Sequence, residues 1–242
     1  MPDAQAVALA ASDIAAEPSP PASDLSVCPN FDRLAVLYRW MEWITFGPWL
    51  KWCRVAWLNQ LAGCRHALVL GDGDGRFTGR LLCANPLVSI HAVDASPAML
   101  KALAGRAGKN AARVQTQVAD ARLWQPEGSA YDLVVTHFFL DCLTADEVRS
   151  LAARVRGMLE DGALWVVSEF AVPPNRFGLW VARPLVSALY WVFGCLTGLR
   201  VRCLPDHAGA LRDADFTLKQ RRTWLGGLLT SELWSPRAAE PS

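Results

Sequence analysis

The sequence predicts an α/β fold: a mainly parallel sheet with helices on both faces, ending in an antiparallel hairpin. Three observations predict it. Short apolar runs that end in glycine or an acid alternate with stretches of helical periodicity between residues 67 and 170. A glycine-rich turn, Gly71-Asp-Gly73-Asp-Gly75, follows the first run and leads into a helical pattern. Late in the chain, Phe216 to Trp224 and Leu228 to Trp234 both read as strands. The turn between them, Gly226-Gly227, is so short that they must be antiparallel.

Taken in order, Met1 to about Val27 is rich in Ala, Pro, Ser and Asp and lacks a basic stretch. It reads as a disordered tail rather than a secretory signal. Asp32 to Gln60 reads as helical with a break at Gly47-Pro48, and residues 28–62 form a tryptophan-rich cap. Ala67 to Gly71 is the first strand, buried on both sides as a parallel strand should be. Phe77 to Ala84 is a helix and Val88 to Asp94 the second strand. Ser96-Pro97 opens the next helix, with serine as N-cap and proline in the first position. Val114 to Val118 and Asp132 to His137 are the third and fourth strands. Thr144 to Glu147 has the capping-box pattern of a helix that runs to about Leu159. Asp161-Gly162 reads as a turn before a fifth strand, Ala163 to Phe170. One main domain spans residues 63–236, with an apolar helical lid over about 176–200 and a flexible end at 237–242.

Composition narrows the function. The 242 residues are 52% apolar and 19% charged, with a net charge of +1, so a basic face for nucleic acid is not expected. Seven cysteines, at positions 28, 53, 64, 83, 142, 195 and 203, form no CxxC pair and no zinc-ligand spacing. Reduced thiols in a cytoplasmic protein, without a metal, are the expectation. The apolar stretch from Pro184 to Leu199 is too short to span a bilayer comfortably. Scattered charges such as Arg113 and Arg154 are expected to be solvated and functionally silent.

The residues suited to chemistry sit at predicted strand ends, where open α/β sheets bind ligands. Gly71, Gly73 and Gly75 let the backbone approach a ligand closely, and the helix that follows offers free N–H groups. A dinucleotide GxGxxG frame fails, because its third glycine would fall on Arg76 or Thr78. Asp94, at the end of the second strand, can accept from both hydroxyls of a ribose. Asp120, at the end of the third, can accept from an adenine amino group, with the Ala121 N–H facing a ring nitrogen.

On these residues the sequence resembles the class I S-adenosylmethionine (SAM) dependent methyltransferases, from Cys64 to Trp234. Leu70 to Gly75 matches their glycine motif, Asp94 to Met99 the ribose-binding acid and its helix, and Ala119 to Ala121 the adenine motif. Tyr131 to Val135, Met158 to Leu164 and the terminal hairpin match the later elements. Phe31 to Tyr38, with Gly47 to Leu50 and Arg54, resembles the ubiquinone/menaquinone type, whose aromatic residues help to cover SAM. The resemblance implies a Rossmann-like fold and SAM as cofactor. Gly71, Asp72, Gly73, Gly75, Asp94, Ala95, Met99, Asp120, Ala121, His137 and Tyr38 would bind it. Two positions depart from the family: Val69 replaces the usual acid, and Arg39 stands where an acid often follows the tyrosine. Asp72 and Asp74 supply carboxylates within the turn instead.

Methyl transfer from SAM is a direct displacement, so the protein mainly positions the acceptor and excludes water. A general base is needed only when the acceptor loses a proton. His137 and Asp141 are the candidates; Glu169 and the Asp206-His207 pair are further polar groups near strand ends. The expected substrate is a small, apolar or lipid-like molecule. Trp40 to Trp57 and Phe177 to Leu199 suit peripheral contact with the inner membrane face, a lid, or a homodimer interface. An inactive binding or scaffold protein, kept open by Val69, and an NAD-type oxidoreductase are the other function classes.

Overall fold

The computed structural model describes residues 47–125, 130–188 and 204–237. The expected tail, the first part of the helical cap with Tyr38, and the second half of the lid lie outside the described residues. Helix α1 (Gly47–Arg54) begins at the expected break and is followed by a 3-10 turn at Leu58–Leu61. The continuous helix expected to Gln60 therefore stops at Arg54. Then come β1 (His66–Leu70), α2 (Arg76–Ala84), β2 (Ser89–Asp94), α3 (Pro97–Ala107), β3 (Val114–Val118) and β4 (Tyr131–His137). The chain continues through α4 (Ala145–Met158), β5 (Leu159–Phe170), α5 (His207–Asp213), β6 (Phe216–Trp224) and β7 (Leu229–Pro236).

The seven strands are ordered β3-β2-β1-β4-β5-β7-β6. Strands β1 to β5 pair in parallel, and β7 runs antiparallel between β5 and β6. Strand order reverses between β1 and β4, the place where a crevice opens at the carboxyl edge of such a sheet. Register puts Leu70 beside Val93 and Thr136, so β1, β2 and β4 end together. Alternation divides the core: Leu68 and Leu70 enter the cluster under α4 and α5, and Ala67 and Val69 the cluster under α2 and α3. Val69 is fully buried there, between apolar neighbours.

Local chemistry accounts for the element boundaries. Ser96 Oγ accepts from the Met99 N–H, and Thr144 and Glu147 form a complete capping box at α4. The expected turn at Asp161-Gly162 is absorbed into β5. Gly162, at φ +78°, lies where Tyr131 pairs with Leu159 but Leu133 pairs with Leu164. The extra residues bulge out of an unbroken strand. Arg113 and Arg154 are not the solvated charges that the sequence suggests. Arg113 donates to the carbonyls of Leu82 and Asn85 at the end of α2 and of Val88 just before β2, and Arg154 to that of Ala121. Carbonyls left open at a helix end attract such donors. Among the described residues no helix is long and apolar enough to cross a membrane.

Candidate active site

The glycine turn joins β1 to α2, with Gly71, Gly73 and Gly75 all in the left-handed region. A Cβ at Gly71 would run into the Phe139 ring, and one at Gly75 would meet the Leu103 Cα at 2.8 Å. The turn can thus lie flat against the chain leaving β4 and against α3 only as glycine. Asp72 turns back onto α2: its carboxylate accepts from the Thr78 N–H at 2.8 Å and the Phe77 N–H at 3.4 Å. Asp74 bonds Arg106 at 2.8 Å and pairs with Arg76. Both carboxylates proposed to replace the acid missing at Val69 therefore already serve the turn itself.

Asp94 ends β2 beside this turn. Its Oδ1 accepts from the Ser96 N–H at 2.9 Å, and the N–H groups of Gly73 and Ala95 also face it. Burial pushes its carboxyl up to about 6. Met99 stands near the turn, its Sδ 3.8 Å from where a Gly73 Cβ would be. Asp120 follows β3, but both its oxygens bond Arg122, at 2.6 to 2.9 Å, and this pairing lowers its pKa. Ala121 beside it is buried. Glycine turn, Asp94 and Asp120 thus stand at the ends of β1, β2 and β3, as expected.

His137 ends β4. Its ring meets Phe77 edge-on at 4.6 Å between centroids, and neither ring nitrogen has a hydrogen-bond partner. Burial, and then the Arg54 charge, holds its pKa well below the ordinary value, so the imidazole is neutral. The next residue, Phe138, is held at φ +53°, unusual for a residue with a side chain. Arg54, on α1, lies 5.1 Å over the Phe138 ring. Its charge also acts on Asp72.

Across from His137, Glu169 near the end of β5 accepts from the N–H groups of Phe139 and Leu140 through Oε1, while its buried Oε2 has no partner. Burial and the nearby Asp141 charge raise the Glu169 carboxyl well above its usual value. Burial pushes Asp141 up to about 6, partly offset by the Cys142 thiol that donates to it and by His207. His207 contacts Glu232 at 3.3 Å, and Glu232 also accepts from Arg221 and Trp234. Asp206 is the N-cap of α5, its carboxylate accepting from the Gly209 N–H. Phe139 is a site neighbour that nothing in its spacing marks, whereas Arg54, already part of the amino-terminal resemblance, reaches the site from α1. No group of metal-ligating side chains is found among the described residues.

The arrangement fits SAM. The glycine turn is a cradle that Cβ atoms would fill, Asp94 is a buried acceptor at a strand end, and His137 presents two buried atoms without partners.

Comparison with known proteins agrees. Residues 68–165 match the model of a methyltransferase domain family. A malonyl-[acyl-carrier protein] O-methyltransferase of a Paenibacillus species is 31% identical over 113 residues, covering 46% of this chain and 40% of that protein. An O-methyltransferase family protein from Burkholderia thailandensis superposes with a TM-score of 0.63 at 20% identity, over 86% of this chain and 59% of that one. A mitomycin 7-O-methyltransferase gives 0.65 at 16% identity, over 86% and 60%. The chain thus spans well under two thirds of the length of each. The antiparallel β7 and this strand order are those of the class I methyltransferase fold, within which residues 68–165 match the methyltransferase domain family.

Proposed function

We propose that the protein transfers a methyl group from SAM to a hydroxyl oxygen of a small, apolar molecule. The observation that carries this reading is His137, a neutral imidazole with two buried, unpartnered nitrogens, at the end of the strand that pairs with β1 and its glycine turn. SAM, when bound, supplies an already activated methyl carbon. Asp94 would accept from the ribose hydroxyls, and the glycine turn would let its backbone approach the cofactor closely. His137 takes the hydroxyl proton as the oxygen–methyl bond forms and the sulfur–methyl bond breaks. Asp141, with a carboxyl near 6, is the second candidate for that proton. Relatives named for O-methylation support an oxygen acceptor. Among the described residues, Cys53, Cys64, Cys83 and Cys142 are free thiols, which suits the reduced, cytoplasmic setting expected from the sequence.

One observation favours a second reading, a protein that binds a ligand without catalysis. Val69 replaces the family's usual acid, and Asp72 and Asp74 are engaged within the turn. Calorimetric titration with SAM and its demethylated product separates the two, followed by incubation of apolar phenols and alcohols with labelled SAM. Micromolar binding and a labelled ether are expected. Binding with no labelled product from any extract would favour the second reading.

A further inference from the structure

We propose that the outer faces of α1 and of the helical segment 176–188 form a platform that docks on an anionic lipid bilayer. Both helices bury one side in the same apolar cluster: Leu50 and Cys53 from α1, Ala182 and Val186 from the other segment. Phe138, Leu228 and Leu229 complete that cluster, with Phe170 packed against it, so it lies at the carboxyl end of β5, the edge of the sheet that holds the site. The opposite sides are apolar as well. Trp180 is 75% exposed, Leu179 55% and Trp52 47%, with Val181, Phe177 and Trp49 also outward. Trp49 and Trp52 stack edge to face at 4.9 Å. A helix that is apolar on both sides needs a second apolar environment, and contiguous exposed patches mark docking sites.

Charge says which environment. Lys51, Arg176 and Arg183 are exposed around the aromatics, and residues 47–71 and 170–205 contain no aspartate or glutamate. Tryptophan with basic residues and no acids suits an interface of anionic headgroups. A second copy facing the same patch would set like charges against each other, which disfavours a dimer through this face. A protein docked this way holds its carboxyl edge toward lipid, from which an apolar acceptor can enter. The purpose of docking rests on the acceptor proposed above; the docking itself does not.

The test is sedimentation of the full chain, without cofactor, with vesicles of phosphatidylcholine alone or with phosphatidylglycerol added. Binding to the anionic vesicles at moderate salt, and little to the neutral ones, is expected. Trp180→Ser should weaken it about tenfold. Arg176→Ser and Arg183→Ser should weaken it about fivefold each. All three side chains are exposed, so unchanged melting temperatures should accompany the loss. Protein that stays in the supernatant with both vesicles overturns the proposal, as does undiminished binding by Trp180→Ser. A Trp180-dependent dimer in light scattering, with no vesicle binding, would assign the face to a second copy. Because no cofactor is present, a failure here leaves the methyltransferase reading to its own titration.

Discussion

Glu169 holds the backbone of Leu140: its Oε1 accepts the Leu140 N–H at 2.8 Å, and that of Phe139 at 3.1 Å. One side chain near the end of β5 thereby fixes the sharp exit from β4, where Phe138 is held at φ +53°. Burial and the nearby Asp141 charge raise this carboxyl well above its usual value, which favours the protonated form.

Glutamine should then replace it with little loss. Glu169→Gln retains an acceptor for the two N–H groups, whereas Glu169→Ala leaves both without one. Urea unfolding at neutral pH should give a loss under about 1 kcal/mol for Gln and about 3 kcal/mol for Ala. A carboxyl raised in the folded state contributes stability that is fully present below its unfolded pKa and is lost as pH rises through the folded one. Glu169→Gln should remove that decline. A glutamine variant as damaged as the alanine one would mean that the ionised carboxylate is required.

SAM affinity should depend on pH through Asp94. Its carboxyl titrates at about 6 in the free protein, and ribose hydroxyls donate to the ionised form. Binding therefore has to displace a proton below pH 6, and affinity should fall by up to about tenfold per pH unit there. Asp94→Asn should bind weakly and lose this dependence. Calorimetry between pH 5 and 8 reads both; a flat profile for the parent protein would remove Asp94 from the ribose contact.

Positions were more legible in the sequence than partnerships. Strands β1, β2 and β4 end where largely apolar runs meet Gly71, Asp94 and His137, because a buried parallel strand must be apolar and its exit need not be. The turn expected at Asp161-Gly162 competes with pairing to β4, and the pairing prevails through a bulge that no local pattern reveals. The same holds for the site. Asp74 reads as a loop acid until Arg106, 32 residues on, is seen to bind it. Asp120 reads as an open acceptor until the Arg122 side chain folds back onto it. His137 and Glu169 meet the same loop only because β4 lies beside β5, and Arg54 reaches the site from a helix outside the sheet.

The three glycines of the turn should tolerate alanine unequally. All pay for a left-handed backbone, roughly 1–2 kcal/mol. Gly73→Ala pays little more, since its Cβ would meet only Met99 Sδ at 3.8 Å. Gly71→Ala would also push the Phe139 ring, a side chain that can turn aside. Gly75→Ala would press on the Leu103 Cα, so helix α3 itself must move. Melting temperatures should fall in the order Gly73, Gly71, Gly75, with Gly75→Ala lowest. Phe139→Leu should recover part of the loss at Gly71 and none at Gly75. Equal losses at all three would mean that backbone strain alone decides.

His137 separates stability from chemistry. Its two ring nitrogens are buried without partners, a cost of about 1–3 kcal/mol for each polar group so placed. A phenylalanine there would keep the edge-on contact with Phe77 and remove both atoms. His137→Phe should therefore match or exceed the parent in thermal stability. The depressed imidazole pKa adds a pH signature: its contribution to stability is present above the ordinary value of 6.5 and is lost as pH falls below it. The variant should lack that acid-side decline. As a base for the acceptor hydroxyl, His137 should contribute about 10²- to 10⁴-fold to the rate. With SAM at saturation, so that any loss of cofactor affinity is offset, kcat of the variant should then drop at least about a hundredfold. A stabilised variant with unchanged kcat would leave His137 as a packing residue and move the proton to Asp141, which Asp141→Asn would then test in the same assay.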